Sequence, residues 1–140
     1  MATKNSFNLE RTKTAILDRL KMATDRALSD AVADIQIRLD SGRGINGESY
    51  RYSDQTAKKK GKASPVDWAD TGTLRRSIDF KSEILKDKIK GLIGVKDLPR
   101  GLTTNKVILQ SLIDRFPGMW GLSKAEVNRL YTNLIKYFKA

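Results

Sequence analysis

The sequence contains no cysteine and no histidine. The first absence removes disulfides, thiolate nucleophiles and thiolate metal ligands. The second removes the commonest general base and the commonest metal-binding side chain. Hydrolytic, redox and zinc-dependent chemistry all fit poorly, so the expectation is a protein that is not an enzyme and uses no metal and no cofactor. No stretch approaches the roughly 20 consecutive apolar residues of a membrane span. The opening MATKNSFNLERTKTAILDRL has no apolar run of signal-peptide length, which predicts a chain made in the cytoplasm without membrane contact. Internal repeats are missing, and low complexity is confined to Lys58-Lys59-Lys60. Asp67 and Asp70 stand three apart, but paired carboxylates need an enclosed site before their pKa values separate. GRGING, residues 42–47, is rich in glycine. It follows a helical pattern instead of a strand and lacks the Lys-Ser/Thr ending of a phosphate loop.

What is present is charge. The 140 residues carry a net +11, with 31% charged and 39% hydrophobic side chains. That length suits one domain, large enough to bury a core without covalent staples. Residues 1–40 are nearly balanced, with seven basic and six acidic side chains; residues 41–64 and 102–140 each hold six basic and two acidic. A basic surface attracts nucleic acid and acidic proteins equally well.

Periodicity predicts an α+β fold. From about residue 8 to 41, Ile16, Leu20, Ala23, Ala27, Ala31 and Ile35 recur at steps of three or four, lining one face of a long helix. The glycines of SGRG stop it. Residues of about 42–64 are polar and glycine-rich, which predicts a long mobile loop. Between about 74 and 95, Ile78 and Phe80, then Ile89, Ile93 and Val95, alternate with polar neighbours around Lys86-Asp87, the pattern of a hairpin. Gly91 and Gly94 mark a weakened strand or a bulge. A short helix is expected at about 103–114 and a second long one at about 123–139. Ser123 and Glu126 form a capping box for the latter, whose apolar stripe is Val127, Leu130, Tyr131, Leu134 and Phe138. The long N-terminal and C-terminal helices would pack on a small antiparallel sheet of two to four strands, all in a single domain spanning 1–140.

Lys58, Lys59, Lys60 and Lys62, with Tyr50, Arg51 and Tyr52 nearby, have the composition of a nucleic-acid patch with interleaved aromatics. The same run suits an assembly interface or a solvated loop. Trp68 and Trp120 stand beside turn residues, where an indole commonly anchors a core.

Two segments also resemble a family. YSDQTAKKKGK followed by PVDWADTGTLRRSI is similar to the central signature of the tail-completion and virion-morphogenesis proteins of tailed bacteriophages, carried by Thr71, Gly72, Leu74, Arg75, Ser77 and Ile78. RFPGMWGLSKAEVNRLYTNLI resembles that family's entry into its last helix, carried by Arg115, Gly121, Leu122 and Ser123. Where relatives have a further strand pair, this chain reads KDLPRGLTTNKVILQSLID. The resemblance implies a structural virion protein of the neck, at the junction of head and tail. Its partners would be copies of itself in a six-fold or twelve-fold ring, neighbouring neck proteins on the portal-adaptor and tail sides, and DNA in the channel without sequence preference. The rival reading is a small basic nucleic-acid-binding protein of the cytoplasm.

Overall fold

The computed structural model describes residues 8–50, 55, 58–59, 73–96, 99–100 and 103–140. It is α+β, with elements in the order α1 (Leu9–Asp40), α2 (Thr73–Arg76), β1 (Ile78–Leu85), β2 (Lys88–Val95), β3 (Pro99–Arg100), β4 (Thr103–Thr104), α3 (Asn105–Arg115) and α4 (Lys124–Lys139).

Helix α1 starts at Asn8, whose side chain accepts from the Arg11 N–H, and runs for 32 residues, about 48 Å at 1.5 Å per residue. It ends in a Schellman motif: Gly42, at φ 72°, donates to Leu39 O, and Arg43 N–H reaches Arg38 O. Its small apolar stripe is buried from Ala23 through Ala27 and Ala31 to Ile35 and Leu39, whereas no residue from 9 to 22 is fully buried. The alanines bring neighbouring elements close to the helix axis.

The hairpin lies along one side of α1. Ile78 pairs with Val95, Ser82 with Gly91 and Leu85 with Lys88, so Ile78, Phe80, Ser82 and Ile84 share a face with Ile89, Gly91, Ile93 and Val95. That face meets α1: Ser82 donates to the Asp25 carboxylate. At Gly91 an added Cβ would stand 2.9 Å from Leu28 Cδ1. Glycine here therefore permits close strand-on-helix packing, and the pairing runs through it without a bulge. The two-residue turn puts Lys86 at φ 50°. The expected start of the hairpin at residue 74 is displaced, because Thr73–Arg76 forms a helical turn and the strand begins at Ile78. That turn drops Leu74 into the core, 4% exposed, before the chain extends. Among the described residues, the segment that departs from the resemblance forms the two-residue pair β3–β4, separate from the main sheet, and then α3.

Helix α4 runs antiparallel to α1 and meets it through a polar ladder. Arg129 pairs with Asp34 at 3.2 Å, Asn133 and Tyr137 donate to Asp30, and the Arg26 guanidinium lies 4.2 Å from the Tyr137 ring centroid. Arg19 finishes the ladder, over the Phe138 ring and on Ala140 O. The expected stripe holds for Val127, Leu130, Leu134 and Phe138, which are half-buried. It fails at Tyr131, which is 60% exposed, since α4 rests on α1 and its flank at Tyr131 and Ile135 turns outward.

The expected mobile loop begins in ordered chain. Residues 42–50 form a tight turn closed by an Arg43–Ser49 bridge, and Gly42 and Gly44 are buried. Gln55, Lys58 and Lys59 are helical and exposed; the remainder of 51–64 lies outside the described residues.

Candidate assembly site

Both segments that carry the family resemblance converge on one core. Leu74 and Ile78 from the first, and Met119 from the second, pack with Ile35 and Leu39 of α1; Phe116, Trp120 and Leu122 border the same cluster. Ser77 is 4% exposed and sits in a polar knot. Asn105, fully buried at the start of α3, donates to Ser77 Oγ at 2.9 Å and to Lys96 O at 2.8 Å. Lys96 N–H donates in turn to Ser77 O. Ser77 thereby fixes α2, the end of β2 and the start of α3 relative to one another.

The second segment closes on the glycine loop after α1. Ile45 N–H donates to Gly118 O at 2.7 Å, and an added Cβ on Gly44 would stand 2.8 Å from that oxygen. The Tyr50 ring lies 5.6 Å from that of Phe116. GRGING therefore serves close backbone packing, in keeping with its lack of phosphate-loop features. Arg38 gathers everything at this point. Its Nε donates to both Glu126 carboxylate oxygens at 3.1 and 2.9 Å, Nη1 to Arg43 O and Met119 O at 3.0 and 2.9 Å, and Nη2 to Gly121 O at 2.6 Å. Both partner side chains are only 10% exposed. Glu126 also accepts the Ser123 N–H while Ser123 Oγ accepts the Glu126 N–H, completing the expected capping box. The sequence reading found Glu126 as a cap and missed Arg38, whose only signal was a cation near the end of α1.

The predicted site residues thus divide. Leu74, Ser77 and Ile78 are buried, Leu122 is half-buried, and Gly121 and Ser123 shape the entry to α4. Arg115 is exposed in the last turn of α3, and Arg75 lies in α2. Of the proposed interface loop, Tyr50 is half-buried against Phe116, and Lys58 and Lys59 are exposed. Arg51, Tyr52, Lys60, Lys62, Thr71, Gly72 and Trp68 lie outside the described residues.

The ionisable groups with shifted pKa values serve packing. Burial opposes ionisation of Asp25, but the Ser82 hydroxyl and the Lys21 ammonium outweigh it and hold the carboxyl below its ordinary value. Burial pushes Asp34 up despite Arg129. The hydrogen bond to Asp30, with some desolvation, raises the Tyr137 phenol and keeps its proton in place. Among the described residues no group of three or more metal-binding side chains occurs, and no helix is long and apolar enough to cross a membrane. The surface exposes Leu9, Ile16, Met22, Ile37, Tyr131 and Ile135, and the outer face of the hairpin carries Lys81, Lys88 and Lys90 alongside Asp79 and Glu83. The chain matches no protein-family model, no curated protein and no solved structure.

Proposed function

We propose that this chain is a structural, non-enzymatic protein of a tailed-phage neck, a ring component that joins or completes the junction between head and tail. The observation that carries the reading is the convergence of its two motif segments on a single core around Leu39, Leu74 and Met119. Segments far apart in the chain act there as one packing unit, which supports reading the two motifs together. Large apolar side chains left exposed on α1 and α4 support it, since such side chains suit burial against neighbours. A ring joins one surface of each copy to a different surface of the next, a contact that closes by rotation. The basic residues of the Lys58–Lys62 run would face neighbouring protein or the channel.

Interrupting the gene in its phage, and counting particles by electron microscopy, tests this directly. The expected result is filled heads and free tails that fail to join; normal virions would sink the proposal. The rival nucleic-acid binder is separated by a salt series against several DNA and RNA ligands. A neck protein binds duplex DNA weakly, without preference, and loses it as salt rises. A dedicated binder holds a preferred ligand at about 10⁻⁸ M or tighter at physiological salt.

A further inference from the structure

Among the described residues the hairpin has a free edge whose position follows from its register. Lys96 N–H donates to Ser77 O across the ladder, which makes 77 and 96 a hydrogen-bonded pair. In an antiparallel ladder such pairs alternate with non-bonded ones, so 79/94, 81/92, 83/90 and 85/88 also bond inward. The amides and carbonyls of Ile89, Gly91, Ile93 and Val95 then point away from β1. No other strand pairs with β2 among the described residues. Gly91 is exposed, and because glycine has no side chain that exposure belongs to the main chain. The matching amide on the β1 edge is guarded, since Phe80 N–H is held by the Asp79 carboxylate at 2.8 Å. The two edges differ, and β2 carries the open one.

Side chains beside that edge define what fits. On the outer face β2 presents Lys88, Lys90, Leu92 and then Gly94; the acids of that face, Glu83 opposite Lys90 and Asp79 opposite Gly94, stand on β1, away from the edge. Leu92 is 44% exposed, and a Cβ placed on Gly94 would have no neighbour within 4 Å. An open groove bordered by Leu92, Gly94, Lys106 and the Lys96–Asp79 ion pair, 3.4 Å across, runs past this end. A strand added to the edge would form its non-bonded pairs opposite 88, 90, 92 and 94, where facing side chains come closest.

We propose that the β2 edge is a docking site for an extended segment of a partner protein, taken antiparallel, whose outward residues read aromatic, aliphatic, acidic, acidic at alternate positions. The acids meet Lys90 and Lys88, the aliphatic side chain meets Leu92, and the aromatic ring fills the open space over Gly94. The complementarity of charge selects a foreign segment over a second β2: two copies of this strand paired about Gly91 would set Lys90 opposite Leu92 and diagonal to the other Lys90, with no acid on either strand of the new seam. This site stands on the hairpin geometry and holds whether or not the protein belongs to a phage neck.

The probe is the peptide acetyl-Trp-Thr-Val-Thr-Glu-Thr-Glu-amide, titrated into the isotope-labelled full chain and followed by amide NMR and hydrogen exchange. Ile89, Gly91, Ile93 and Val95 should shift together and exchange more slowly. A peptide with lysine in place of both glutamates should bind about tenfold or more weakly. Lys88 and Lys90 are exposed, so K88E/K90E keeps the fold, and in this variant the preference between the two peptides should invert. Equal response to both peptides, or shifts confined to other residues, would overturn the assignment. Slow exchange at the four amides without peptide would overturn it too, pointing to a second copy if it grows with protein concentration and to this chain's own backbone if it does not.

Discussion

Arg38→Ala is the substitution with the largest expected cost outside the apolar core. The guanidinium makes two hydrogen bonds to Glu126 and one each to Arg43 O, Met119 O and Gly121 O, in a setting where both charged side chains are 10% exposed. Removing one member of a buried pair costs about 3–5 kcal/mol, because the other charge stays behind without its partner. Here the loss also strips three carbonyls of a donor, so the upper half of that range, about 4–5 kcal/mol, is expected. Glu126→Gln should cost less, about 1.5–3 kcal/mol: the amide oxygen still accepts the Ser123 N–H, and Arg38 keeps its three carbonyls. A domain of this kind has roughly 5–15 kcal/mol in all. With a urea slope of about 2 kcal/mol per molar, Arg38→Ala should lower the midpoint by about 2 M and Glu126→Gln by about 1 M. A cost below about 1 kcal/mol for Arg38→Ala would mean that the junction is open to water. A larger cost for Glu126→Gln than for Arg38→Ala would refute the weight given to the three carbonyls.

Four further outcomes are expected. Leu74→Ala should destabilise by about 2–4 kcal/mol in urea melts and Ser123→Ala by about 1 kcal/mol; an unaffected midpoint for Leu74→Ala would remove α2 from the core. Lys86 occupies the left-handed region at φ 50°, so Lys86→Asn, which tolerates that region, should raise thermal stability by up to about 1 kcal/mol, and a decrease would contradict the turn geometry. Asp25 has a depressed pKa, hence its contribution to stability is present above the unfolded carboxyl value and fades as pH falls through the folded one. In Ser82→Ala the Asp25 carboxyl should titrate at higher pH by NMR and the loss of stability in acid should become shallower; an unchanged titration would show that Ser82 does not hold it.

The elements that could be read from the sequence are those with local signals. Ser123 and Glu126 lie three apart, and the box they form is present with both hydrogen bonds. The alanine stripe of α1 and the turn at Lys86-Asp87 are equally local. What could not be read depends on partners distant in sequence. Arg38 and Glu126 are 88 residues apart, and nothing near Arg38 distinguishes it from the other cations of α1. GRGING looked like the start of a loop because its counterpart, Gly118, lies about 70 residues further along the chain, beyond the hairpin and α3. Leu74 read as the start of the hairpin although Arg76 interrupts the alternation that runs from Ile78. The need to bury Leu74 beneath Leu39 then favoured a helical turn instead.

The same distinction separates fold from function at the candidate site. Motif residues such as Leu74, Ser77, Ile78 and Gly121 sit where substitution disturbs packing, so they record the fold and say little about what the protein touches. Choice of partner has to reside in side chains that the fold leaves outside: Lys88, Lys90 and Leu92 on the hairpin, Tyr131 and Ile135 on α4, Leu9 and Ile16 on α1. Their own folded environment places few constraints on them, so no periodicity or cap reveals them in the sequence. Once the register is known, the hairpin ceases to be anonymous. Its two edges carry different chemistry: an acid occupies an amide on β1, while glycine leaves the main chain bare beside two lysines on β2. Substitutions on that outer face should therefore alter association while leaving the urea midpoint within about 0.5 kcal/mol of the parent, the opposite of what Arg38 and Leu74 should do.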